Sequence, residues 1–124
     1  MKHLIINLAI IILMASCSSD KPSYLEPNLS TLAATDITRN EATLSGIAEI
    51  EGDADMPQLY FRYGTTENMD QTVPITTENE KISKQNNVSV RLKNLIASNT
   101  YYYMLQGSNG RTITSGNIMN FTTL

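Results

Sequence analysis

Tryptophan is absent, cysteine and histidine occur once each, and no apolar run is long enough to cross a bilayer as a helix. Each scarcity closes a line of chemistry. One thiol cannot form an intramolecular disulfide. Both His3 and Cys17 precede Ser18, so everything beyond them can assemble neither a Ser-His-Asp nor a Cys-His catalytic group, and no His or Cys metal site. Charge is sparse as well: 9 basic and 12 acidic residues make 17% of the chain and leave a net charge of -3. That balance excludes a disordered polyelectrolyte and repels nucleic-acid phosphates. The 124 residues, 41% of them apolar, suffice for one ordinary globular domain.

What is present begins with an address. Lys2 is followed by an apolar run from Leu4 to Met14 broken only by Asn7, then by the small residues Ala15 and Ser16 and by Cys17. The length is that of a secretory h-region. Leu13-Met14-Ala15-Ser16-Cys17 resembles a bacterial lipobox, with Met14 where leucine is usual. The resemblance implies cleavage before Cys17 and acylation of its thiol, so that 1–16 is a signal peptide and Cys17 a membrane anchor. Two or three acyl chains hold far more firmly than one, since each buried CH₂ adds about 0.8 kcal/mol. The stretch Ser18–Leu29 is rich in Ser, Pro and charge, and Pro22 and Pro27 oppose regular structure, so 17–29 is expected to be a tether. Fully extended, a dozen residues reach roughly 40 Å. Ser18, Ser19 and Asp20 resemble the export signal of Bacteroidetes-type surface lipoproteins. The expected location is the outer membrane, at the cell surface rather than on its periplasmic face.

From residue 30 to 124 the pattern is all β. Ala42, Leu44, Gly46, Ala48 and Ile50 alternate with Thr43, Ser45, Ile47 and Glu49; Leu59, Phe61 and Tyr63 alternate with Tyr60 and Arg62; Val88, Val90 and Leu92 alternate with Ser89, Arg91 and Lys93. Thr100–Gln106 and Ile118–Thr123 add two β-rich runs. Turn residues separate them, among them Gly64, Asn86-Asn87 and Asn109-Gly110. Six or seven short strands at roughly ten-residue spacing predict an antiparallel sandwich.

Four segments carry a more specific resemblance: TDITRNEATLSG, LYFRYGTT, VRLKNLIASNTYYY and GNIMNFTTL. Together they resemble the immunoglobulin-like β-sandwich of the fibronectin type III family, about seven strands, in its bacterial surface-protein version. The most specific piece is Leu95 followed by Tyr101, similar to that family's tyrosine corner. The resemblance implies that Tyr101 opens a strand and that its hydroxyl supplies a hydrogen to a loop carbonyl behind it. Gly46 stands where many animal members have a core tryptophan, so Phe61, Tyr63 and Phe121 are expected to fill the core. Ala97 replaces a frequent proline.

Possible sites follow from the alternation. If Tyr101, Tyr103 and Leu105 point inward, Tyr102, Met104 and Gln106 point outward, as do Tyr60 and Arg62, and Met119 and Phe121 leave Ile118 outside. The family's topology puts these strands in one sheet. Tyr60, Arg62, Tyr102, Met104 and Ile118 are therefore expected as neighbours on an exposed face, suited to sugar stacking or a protein partner. The bland alternative is that outward tyrosines simply pair across strands. Glu49, Glu51, Asp53 and Asp55 lack EF-hand spacing, and loop acids ordinarily stay solvated. Gly107–Arg111 reads as a hairpin turn, without the Lys-Ser or Lys-Thr of a phosphate loop. No catalytic residue, cofactor or metal is implied. The expected role is a non-catalytic, lipid-anchored envelope module that binds a glycan or protein or acts as a spacer. The alternative is an accessory unit of a larger glycan-processing or uptake system.

Overall fold

The computed structural model describes residues 26–50, 57–76 and 85–124. The signal segment 1–16, Cys17, and the loop acids Glu51, Asp53 and Asp55 lie outside them. Among the described residues there is no helix. Eight strands follow in order: β1 (Asn28–Thr31), β2 (Ala42–Glu49), β3 (Gln58–Gly64), β4 (Gln71–Pro74), β5 (Gln85–Leu92), β6 (Thr100–Ser108), β7 (Ile113–Ser115) and β8 (Met119–Thr122). All pairings are antiparallel. One sheet has the order β1-β2-β5; the other runs β4-β3-β6, with β7 and β8 pairing in turn along the far edge of β6. The expected β-sandwich is the fold, and the count reaches eight because its last strand is broken in two.

Period-two alternation explains the layers. Ala42, Leu44 and Ala48 are fully buried on β2, Leu59 and Phe61 on β3, and Tyr103 and Leu105 on β6. Phe121 closes the core, its ring stacked 5.5 Å from Tyr101 and edge-on to Tyr103 at 5.8 Å. Tyr63 is half-buried and packs against this cluster. Gly46 needs no large side chain because Leu105 covers it: a Cβ there would lie 2.8 Å from Leu105 Cδ2 and 2.9 Å from the Ser30 carbonyl oxygen.

Three boundaries differ from the sequence expectation. The domain starts at β1 rather than at residue 30, for Pro27 and Leu29 are buried and Leu29 pairs with Ala48. Gly107 is no turn residue; it sits buried in the ladder between Leu59 and Thr114. The turn comes after it, where Asn109 Oδ1 accepts the N–H groups of Arg111 at 2.8 Å and Thr112 at 2.7 Å. Ile118 precedes β8 instead of opening it.

That last shift belongs to a seam joining the two sheets. Tyr103 opposes Met119 while Gln106 opposes Ser115, so one extra residue is inserted across 116–118. The displaced backbone is used. Gly116 N–H donates to the Leu105 carbonyl at 2.8 Å, and the Asn117 side chain reaches β1, accepting from Thr31 N–H at 2.8 Å and donating to the Thr31 carbonyl at 3.1 Å. Thr31 Oγ1 in turn accepts the Leu105 N–H at 3.0 Å. A Cβ at Gly116 would meet Thr31 Oγ1 at 2.9 Å, which is why glycine is needed at this close approach. The chain after β1 slips by one residue as well: Thr31 opposes Gly46 but Thr35 bridges Thr43. There the Leu32 carbonyl accepts the Tyr103 hydroxyl hydrogen at 2.6 Å.

Candidate functional site

The register of β3 against β6 sets Tyr60 opposite Gln106, Arg62 opposite Met104 and Gly64 opposite Tyr102, and Tyr102 faces Asn120 on β8. Directly opposed residues share a face. Tyr60, Arg62, Tyr102 and Met104 therefore lie together on the outer side of the sheet, away from the core. They are half-buried, not the freely exposed set that alternation predicted. Gln106 lies lower still: although outward in phase, it is 7% exposed, its amide donating to Ser115 Oγ at 2.9 Å and reaching Met104 Sδ at 4.0 Å. These side chains lie low on the sheet. Only Ile118 stands well out, 55% exposed, and it belongs to the interruption before β8 rather than to the ladder.

Two features of this face leave recognition chemistry available. The Arg62 guanidinium is oriented by backbone carbonyls, through Nε to Met69 at 2.8 Å and Nη2 to Asn68 at 3.4 Å, and meets no carboxylate among the described residues. Its position is fixed, and no described residue neutralises its charge. The hydroxyls of Tyr60 and Tyr102 have no hydrogen-bond partner among the described residues.

The inward tyrosines differ. Tyr101 is 5% exposed and its hydroxyl oxygen accepts the Ile96 N–H at 2.8 Å, with Leu95 buried beside it. The hydroxyl does bond back to the segment before its strand, but the hydrogen runs the other way from the expectation: a loop amide needed an acceptor, not a carbonyl a donor. Tyr103 is fully buried, and that burial raises its hydroxyl above the usual 10.0, offset in part by a hydrogen bond with the Ala34 backbone.

A second concavity was not anticipated. At the end of the sandwich away from Asn28, the end of β3, the turn into β4 and the segment after β5 enclose a cleft of about 480 Å³. Tyr63 and Tyr101 supply its rings, Thr65, Asp70, Gln71, Lys93 and Asn94 its polar groups, and Ile96, 62% exposed, its apolar rim. The left-handed backbone at Met69 (φ 43°) and Asn94 (φ 60°) turns both segments sharply enough to form the walls. Asp70, Lys93 and Asn94 have no side-chain partner among the described residues; the ion pair among those residues joins Arg91 and Glu41 at 3.1 Å, and neither lines the cleft. The sequence signal is weak, because the walls come from two turns more than twenty residues apart that no motif connects.

No family model matches the chain, and no curated protein matches it in sequence. Solved structures do. The chain is similar to the sensor domain of the anti-sigma factor RsgI4 of Pseudobacteroides cellulosolvens, with a TM-score of 0.61 at 19% identity over 79% of this chain and 94% of that one. A solution structure of the same sensor domain gives 0.62 at 17%, over 80% and 76%. A computationally redesigned β-sandwich protein gives 0.55 at 21%, over 80% and 95%. At such identities the likeness is one of fold.

Proposed function

We propose that the chain is a non-catalytic, lipid-anchored module of the bacterial cell envelope, of fibronectin type III type, that binds a glycan or protein with the outer face of β3 and β6. The observation that carries this reading is the alignment of Tyr60, Arg62, Tyr102 and Met104 across two paired strands, with two idle hydroxyls and a carbonyl-held cation. Amphipathic rings beside a fixed guanidinium suit partners that present both apolar and polar surface. A related sandwich serves as the sensor domain of an anti-sigma factor, a precedent for recognition on this scaffold. The Tyr101–Ile96 bond supports the family resemblance, and the apolar run ending at Cys17 supports the anchor.

The experiment is a screen of the chain against glycans and envelope proteins, repeated with a Tyr60→Ala, Tyr102→Ala variant. Truncating an aromatic anchor removes about 2 kcal/mol or more of binding each. The variant should fold yet lose its partner. Undiminished binding by a folded variant sinks the sheet-face assignment. The anchor is tested separately: Cys17→Ala should abolish labelling by a fatty-acid analogue and release the protein from membranes.

A further inference from the structure

The cleft at the far end of the sandwich lies apart from the sheet face, and its chemistry is different. Beside the neutral Thr65 and Gln71, its remaining polar groups come in opposed kinds. Asp70 offers acceptors, Lys93 offers donors and Asn94 offers both, and none of them is engaged by a partner among the described residues. Asp70 and Lys93 line one cavity without forming an ion pair. A phosphate or other anion attracted by Lys93 would also meet Asp70, and a cation held by Asp70 would meet Lys93. One carboxylate and one ammonium thus favour an occupant without net charge that can both give and accept hydrogen bonds.

The rings narrow the class further. Half-buried Tyr63 and buried Tyr101, the latter held by the Ile96 amide, both line the cleft. Because the Tyr101 oxygen is the acceptor in that bond, its own hydrogen remains free to donate. An apolar surface tipped with hydroxyls, next to amide, carboxylate and ammonium groups, matches a pyranose ring, which has an apolar C–H face and a rim of hydroxyls. At about 480 Å³ the space falls within the usual range for small-ligand sites, ~300–1,000 Å³. We propose that this cleft is a saccharide-binding site distinct from the sheet face, with Tyr63 as the stacking surface and Asp70, Lys93 and Asn94 as hydrogen-bonding groups.

The test is titration of the full-length chain with glucose, N-acetylglucosamine, maltose and cellobiose, with glycylglycine as a zwitterionic control. Backbone amide NMR shifts locate the site, and tyrosine emission, unmasked by any tryptophan, follows occupancy. At least one saccharide should shift amides in 63–71 and 93–96, with equal affinity at low and high salt because neutral hydrogen bonding is little screened. Asp70→Ala and Lys93→Ala should each weaken binding at least about fivefold. Asn94→Gly should weaken it by a similar factor without unfolding the protein, since glycine accepts the left-handed backbone. The Tyr60→Ala, Tyr102→Ala variant should bind the saccharide normally, which keeps this site separable from the proposed face. The proposal is overturned if no saccharide on the panel shifts these amides, if the shifts fall on β3 and β6 instead, or if all three cleft variants bind undiminished. Salt-sensitive binding of glycylglycine alone would overturn it too, by making the cleft a site for zwitterions.

Discussion

The two faces of β6 carry the same kinds of residue to opposite ends. On the inner face Tyr101 and Tyr103 pack against Phe121, and both hydroxyls bond to backbone of other segments, Ile96 and Leu32. On the outer face, one residue along, Tyr102 is half-buried and its hydroxyl has no partner among the described residues. Inside, a tyrosine is a structural tie; outside, the same side chain keeps its polar end for another molecule. The difference lies in phase along the strand, which is also why a one-residue slip would exchange the two roles.

The most severe way to break the contrast is Tyr103→Ala. It empties the centre of the core and strips the Leu32 carbonyl of its donor, so urea unfolding should show a loss of about 3–5 kcal/mol, as for other large aromatic truncations. A loss below about 1 kcal/mol would mean that Tyr103 is not the centre of the core. Next comes Tyr101→Phe, which keeps the ring but leaves the Ile96 amide without an acceptor, at a cost of about 1–3 kcal/mol. Its neighbour sharpens the comparison: Tyr102→Phe should stay within about 0.5 kcal/mol of the parent. If the two results were reversed, the inward and outward assignments along β6 would be exchanged.

A pH titration isolates the inner hydroxyl without deleting a ring. The folded state raises the Tyr103 hydroxyl above 10.0 because burial disfavours the phenolate. Native protein then holds that proton more tightly than unfolded chain does. Stability is unaffected below the unfolded value and falls as pH rises through the folded one. The alkaline loss should be smaller in Tyr103→Phe than in the parent, and equal losses would remove Tyr103 from the account. The gentlest change concerns Thr114, whose buried hydroxyl has no partner among the described residues. Thr114→Val should be neutral or stabilising by up to about 1 kcal/mol, since no hydrogen bond is lost.

Much of this was legible in the sequence where the alternation was long. β2, β3 and β6 each place buried residues two apart, β5 keeps the same phase with half-buried Val90 between buried Val88 and Leu92, and the outward set on β3 and β6 follows from it. Short edge strands gave no such run. Asn28-Leu-Ser-Thr is as polar as the tether before it, and Gln71-Thr-Val-Pro ends in a residue that suits only an edge. The burial of Gln106 on the outer face was hidden as well, because its amide turns to Ser115, which the alternation alone leaves undetermined. The polar cleft was beyond reach for a different reason. Tyr63, Asp70 and Lys93 meet only once two sheets have stacked, and the left-handed turn at Asn94 is a conformation many residues can avoid.

The broken last strand has an effect beyond joining the sheets. A free sheet edge is a template on which a second copy can add its own strand, a common route to aggregation. Here the outermost ladder is never continuous: β7 offers three residues, β8 four, and between them the chain is out of step and occupied with Thr31. An incoming strand could follow neither piece for long before losing register. Repairing the insertion, by deleting one residue from 116–118, would straighten this edge, and self-association is the hazard that the present irregularity guards against.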